Sequence, residues 1–167
     1  MKAVTALSPI TLKPLSVSGF WDDVDELMDQ VRQRAYHLFE GRGRAEGNDL
    51  EDWFKAETEL LKPVPLEIAE KDNVLRVRAE VPGFKDNEIE INLEPGALTI
   101  KGEHREATET KDEKKFHSEI YAQQIFRRVP LPVNVLPEKA TATLKDGVLE
   151  LSVPKAELAR KIEIKAA

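Results

Sequence analysis

The chain has 167 residues, 41% of them hydrophobic and 34% charged, which suits one globular domain with appendages rather than a disordered chain. Its formal net charge of -6 argues against a dedicated nucleic-acid binder, which needs a basic face to displace phosphate counterions. With no cysteine present, disulfides, thiolate metal sites and thiol catalysis are excluded together.

No apolar run approaches the roughly 18 to 20 residues that a transmembrane helix requires, so no membrane span is expected. The start Met1-Lys2-Ala3-Val4 lacks the apolar core of a signal peptide, and the cytoplasm is the expected compartment. Residues 1–20 mix Pro, Ser, Thr and scattered apolar residues without a period and read as a flexible arm. From Asp22 the pattern changes. Val24, Leu27, Met28, Val31, Ala35, Leu38 and Phe39 recur at three- and four-residue spacing, which places them on one helical stripe. Asp22 and Asp23 are candidate caps for this helix and Gly41 its stop. A second periodic set, Leu50, Trp53, Phe54, Leu60 and Leu61, begins behind Asn48-Asp49 and ends at Pro63. The two form a predicted helical hairpin over 21–62, whose apolar stripe is either its own core or a contact surface for neighbours and clients. Val24, Leu27, Met28, Val31, Trp53 and Phe54 are the candidate contacts.

Beyond Pro63 the period drops to two. Leu66 and Ile68, then Leu75, Val77, Ala79 and Val81, alternate with charged residues across a turn at Asp72-Asn73. Ile89, Ile91 and Leu93 lead through Glu94-Pro95-Gly96 into Leu98 and Ile100, a second hairpin. The stretch from Glu103 to about His117 is nearly all polar, too long for an ordinary hairpin loop, and therefore either disordered or used. Tyr121 to Val129, Ala140 to Leu144 and Val148 to Val153 complete the set, and many short strands with Gly and Pro turns favour a mainly β sandwich over 63–154. Asp146-Gly147 is a tight-turn signal flanked by alternating residues, with Val148 and Leu149 opening the last strand. Residues 155–167 form a C-terminal extension carrying Ile162-Glu163-Ile164, two β-branched side chains on one face of an extended segment. These isoleucines either pack on their own domain or add to an exposed sheet edge of another copy.

No catalytic constellation emerges. His37, His104 and His117 lack metal-ligand spacing, Ser118 and Ser152 have no elbow motif, and no Gly-rich phosphate loop is present. The reading is therefore a non-enzyme with no catalytic residue, metal or cofactor.

The run Ala142-Thr143-Leu144-Lys145-Asp146-Gly147-Val148-Leu149 with Ile162-Glu163-Ile164 resembles the small heat-shock protein family, whose domain carries an A-x-x-x-[ND]-G-V-L signature and whose extension carries Ile-x-Ile. Ala79-Glu80-Val81-Pro82-Gly83-Phe84, Leu98-Thr99-Ile100-Lys101-Gly102-Glu103 and Phe126-Arg127-Arg128-Val129-Pro130-Leu131-Pro132 are similar to three further family segments. The helical hairpin, with its Asp52-Trp53 pair, is similar to a small bacterial module of unknown function. The first resemblance implies an immunoglobulin-like β-sandwich, the α-crystallin domain, and an ATP-independent holdase that binds non-native clients and forms homodimers and higher oligomers. It further implies hand-over of clients to ATP-dependent chaperones. It places Ile162 and Ile164 in a groove between the strands holding Ile89, Ile91, Leu93 and those holding Ala142 and Leu144. It also puts Arg127 and Phe116 at a dimer interface, with a strand from the charged loop crossing to the partner. Glu119-Ile120 leading to Gln123 departs from the Glu-Arg and following Gly that many members carry. The alternative is a sandwich-type co-chaperone or adaptor that binds a folded partner.

Overall fold

A computed structural model describes residues 8–9, 18–112, 115–156 and 162–166, without the side chains of 8, 9, 18 and 108–121. The elements in chain order are β1 (Ser8–Pro9), α1 (Ser18–Gly41), α2 (Asp49–Leu60), β2 (Leu66–Lys71), β3 (Val74–Glu80), β4 (Ile89–Glu94), β5 (Ala97–Asp112), β6 (Lys115–Pro130), β7 (Thr141–Lys145) and β8 (Val148–Pro154). The strands make a five-stranded sheet of order β1-β7-β8-β3-β2 and a three-stranded sheet of order β4-β5-β6. No described helix is long and apolar enough to cross a membrane.

Alternation builds the sandwich. Along β3, Leu75, Val77 and Ala79 are buried while Arg76, Arg78 and Glu80 are exposed, and β8 repeats this with Leu149, Leu151 and Val153 inside. Ile89, Ile91, Leu93, Leu98, Ile100 and Ile125 supply the facing layer from the three-stranded sheet. Each such side chain removed from water contributes about 1.5–3 kcal/mol. Two connections use a tight turn with both central residues at positive φ: Asp72 and Asn73 at 51° and 64°, Asp146 and Gly147 at 49° and 74°. That geometry matches the twist of the joined strands, which is why both pairs read as turns from sequence.

Two expectations are revised. The first helix starts at Ser18, so Asp22 and Asp23 lie within it and cannot cap its start. Phe20, 3% exposed, continues the buried stripe of Val24, Leu27 and Val31 at four- and three-residue spacing, and this burial extends the helix past the aspartates. Most of the arm expected over 1–20 lies outside the described residues; Ser8–Pro9 forms β1, which the sequence pattern did not suggest. The charged stretch after Glu103 is neither a loop nor a separate strand: β5 and β6 stay in register from Ala97↔Pro130 to Asp112↔Lys115, one long hairpin within the subunit. The stretch carries no alternation of apolar and polar residues, so sequence periodicity does not separate it from a loop.

Candidate functional site

The signature segments meet one another. Val81 donates its backbone N–H to the Gly147 carbonyl at 2.7 Å, and a Cβ on Gly147 would stand 3.0 Å from Pro82 Cα. The Val-Pro-Gly segment therefore packs against the Asp146-Gly147 turn, where only a glycine fits both the positive φ and the close backbone. Gly102 stands opposite Ile125, and a Cβ there would fall 2.8 Å from the isoleucine Cγ1. Of the hairpin signature, Asp146 is exposed, Gly147 and Val148 half-buried, and Leu149 fully enclosed in the core. These motifs build the scaffold.

Residues 162–166 stand exposed beyond that scaffold. Lys155 and Ala156 are still tied down, their N–H groups donating to Asn73 and Asn134 carbonyls at 2.9 Å, with Lys155 Nζ paired to Glu70. Beyond, Ile162 and Ile164 are 85% and 95% exposed and 162–166 has no regular structure. They do not pack on their own domain. The residues named for the socket divide between the sheets: Ile89, Ile91 and Leu93 on β4, an edge strand, and Ala142 and Leu144 on β7. Ile89, Ile91, Leu93 and Ala142 are at most 5% exposed and Leu144 is partly buried, all within the sandwich interior. β7 has β8 on one side and β1 on the other, with Ser8 opposite Leu144 and Pro9 opposite Thr143.

The helical hairpin is fastened to the outer face of the three-stranded sheet. Lys101 on β5 reaches Asp23 at 2.6 Å and Glu90 at 3.3 Å, and its ammonium lies 4.9 Å from the Phe20 ring centroid. Arg128 on β6 pairs with Glu94 at 2.9 Å, donates to Thr99 Oγ1 at 2.9 Å and stacks 5.3 Å from the Trp21 ring. Asn92 and Thr99, polar residues on this face, are accordingly buried. Within the hairpin, Arg42 grips the buried Asp52 through Nε and Nη2, both to Oδ2, at 3.0 and 2.7 Å. This explains Asp52 in the Asp52-Trp53 pair: it bolts the connection between α1 and α2.

Of the contacts nominated on the helices, Val24, Leu27 and Val31 are enclosed and cannot meet a partner in this arrangement; Met28 and Trp53 are half-buried. The side chains that face water are Phe54 at 55%, Leu50 at 66% and Tyr36 at 54%. Sequence reasoning missed Tyr36 as a surface residue because it falls just off the stripe, and a helical stripe alone does not say where its partner ends. A concavity of about 590 Å³ on the hairpin is lined by Ala35, Tyr36, Phe39, Glu46, Asp49 and Asp52.

Arg127 is exposed on β6, while the Phe116 side chain lies outside the described residues. His104 Nδ1 sits 2.8 Å from Glu88 and Nε2 3.2 Å from Glu106. The bond to Glu88 is the main reason the His104 pKa is raised, and Glu106 adds to it. Glu88 is lowered, chiefly by accepting the Lys85 backbone N–H and then by His104. No group of three or more potential ligands among the described residues could hold a metal ion.

Comparison with known proteins bears on this geometry. Residues 67–165 match the Hsp20/alpha crystallin family, and residues 26–62 match a protein family of unknown function, DUF2934. The chain is 28% identical over 151 residues to a chloroplastic small heat shock protein of Solanum lycopersicum, covering 90% of this chain and 58% of that one. It is 33% identical over 99 residues to small heat shock protein C4 of Rickettsia felis, covering 59% and 61%. The chain thus spans about 60% of the length of these relatives. A crystal structure of a small heat-shock protein from Xylella fastidiosa is 28% identical, with a TM-score of 0.45, covering 63% of this chain and 98% of that one.

Proposed function

The chain belongs to the Hsp20/alpha crystallin family, and on that premise we propose that it is an ATP-independent holdase whose dimers assemble through their C-terminal tails. The observation that carries this reading is the pair Ile162 and Ile164, exposed at 85% and 95% beyond a sandwich that has closed over its own apolar residues. An extended segment with two β-branched side chains on one face gains by adding to the sheet edge of another copy, where main-chain bonds give affinity and side-chain hollows give selection. The edges of β4 and β7 are where the tail of a second subunit docks. Arg127 and Phe116 belong to the dimer contact.

Client capture is a matter of apolar area. An unfolding protein exposes surface that Phe54, Leu50 and Tyr36 can cover, and binding the non-native state in preference to the native one prevents aggregation without accelerating a reaction. No nucleotide enters this cycle, and held clients pass to ATP-dependent chaperones for refolding. Warming weakens tail docking and releases dimers.

Light scattering of a heat-unfolding test protein, with stoichiometric amounts of this chain and no nucleotide, tests the holdase reading. Suppressed scattering is the expected result; undiminished scattering in the presence of the folded chain would refute it. The assembly half is tested by replacing Ile162 and Ile164 with Gly and measuring particle mass. A shift toward dimers with unchanged melting is expected, and retention of full size would remove the tail from the account.

A further inference from the structure

The helical hairpin is the acidic part of the molecule. Residues 18–62 hold twelve Asp and Glu against six Lys and Arg, so they carry the whole formal charge of -6 while the rest of the chain balances. The concavity on the hairpin joins that charge to aromatic surface. Tyr36 and Phe39, ring centroids 6.1 Å apart, line it from α1, and Glu46, Asp49 and Asp52 line it from the connection and from α2. Tyr36 belongs both to this recess and to the exposed apolar set assigned to client capture. We propose that the recess takes an arginine or lysine side chain of a non-native segment, so that the hairpin selects clients in which cations stand among apolar residues. This rests on the reading of the hairpin as the surface that captures clients.

A guanidinium of the chain itself is already held by this chemistry. Arg42 stacks 5.2 Å from the Phe39 ring centroid while its Nε and Nη2 engage Asp52 at 3.0 and 2.7 Å, so a ring face and a carboxylate act together on one cation. That pairing satisfies Asp52 and leaves negative charge over. Asp49 lies 3.7 Å from the same guanidinium and stays exposed, Glu46 has no ion pair among the described residues, and the nearby Arg44 is matched by Glu40 at 2.8 Å. Three lining carboxylates thus face one guanidinium. An incoming arginine brings an aliphatic stem to cover Ala35 and the rings, and a planar charged head for Asp49 and Glu46. An acidic segment meets like charge on the same surface and is disfavoured. Unfolding exposes apolar area in every protein, so apolar contact alone ranks clients poorly, and charge supplies the ranking.

The test titrates the full chain at low salt with three fluorescent peptides that share one pattern of Leu and Phe and carry Arg, Gln or Glu at the remaining positions. A fourth probe is the peptide 154–167, whose Arg160 and Lys161 would report a second copy as the occupant. The Arg peptide is expected to bind about tenfold more tightly than the Glu peptide, with the Gln peptide between them, and added salt should close the gap. In a chain carrying Glu46→Gln and Asp49→Asn, checked for unchanged melting, the gap should shrink to about threefold or less while the Gln peptide binds as before. Tyr36→Leu keeps apolar area but removes a ring, and should weaken the Arg peptide more than the Gln peptide. Equal binding of the three peptides by the unaltered chain would overturn the selection and leave capture by the hairpin standing, whereas binding of none would overturn both. An undiminished gap in the folded double variant would overturn the recess as its source. Binding of peptide 154–167 that is lost in the double variant, beside an Arg peptide that is not, would reassign the recess to a second copy.

Discussion

In the sandwich, Leu75, Ile91, Leu98, Ile100 and Leu149 are fully enclosed, whereas in the helical hairpin Leu50, Phe54 and Tyr36 stand 66%, 55% and 54% exposed. The large hydrophobic side chains exposed among the described residues belong either to that hairpin or to the tail. Two sheets can bury every inward residue against one another, because alternation gives each strand a whole apolar face. A pair of helices cannot enclose its stripes so completely; this pair leans on the sheet through Phe20 and Trp21 and leaves its far end uncovered. Stability and adhesion therefore reside in different parts of the chain, and each substitution below should affect one without the other.

The largest effect is expected inside the sandwich. Ile91→Ala opens a cavity at a position with no exposure and should cost about 2–5 kcal/mol in a denaturant titration, whereas Phe54→Ala on the hairpin should cost within about 0.5 kcal/mol. Equal losses at the two sites would erase the distinction. Lys101→Ala comes next. It removes the ammonium shared by Asp23, Glu90 and the Phe20 ring, so α1 should loosen from the sheet. Both tryptophans lie in the hairpin, so their fluorescence should shift to the red and amide exchange in α1 should quicken while the sandwich melts nearly as before. Unchanged emission and exchange would mean that the latch carries no weight.

The smallest effect is a pH dependence within the sandwich. His104 has its pKa raised above 6.5, so its contribution is complete below 6.5 and is lost as pH rises through the folded value. Glu88 is lowered from 4.5, so its contribution is complete above 4.5 and is lost as pH falls through its folded value. The pair is fully engaged between those two ordinary values. Glu88→Gln should move the His104 titration, followed by NMR, back toward 6.5. An unmoved titration would assign the shift to Glu106 instead.

Much of the sandwich is legible in the sequence because its signals are local. Leu75 to Val81 alternates, and Asp72-Asn73 and Asp146-Gly147 declare their turns. What escaped is non-local. Nothing near Lys101 announces a partner at Asp23, 78 residues upstream, and nothing near Arg128 announces the still more distant Trp21. Ser8–Pro9 is too short, and too poor in β-formers, to read as a strand without the edge it completes. The stripe of Val24, Leu27 and Val31 showed which residues are apolar but not that they are enclosed, leaving Leu50 and Tyr36 as the unforeseen surface.

The most direct test of this division is the scattering assay repeated with Tyr36→Ser, Leu50→Ser and Phe54→Ser combined in one chain. The account predicts a sandwich that melts as before and a chain that no longer suppresses client aggregation. Full suppression by the folded triple variant would contradict it, because the hairpin's exposed apolar face would then have no part in capture.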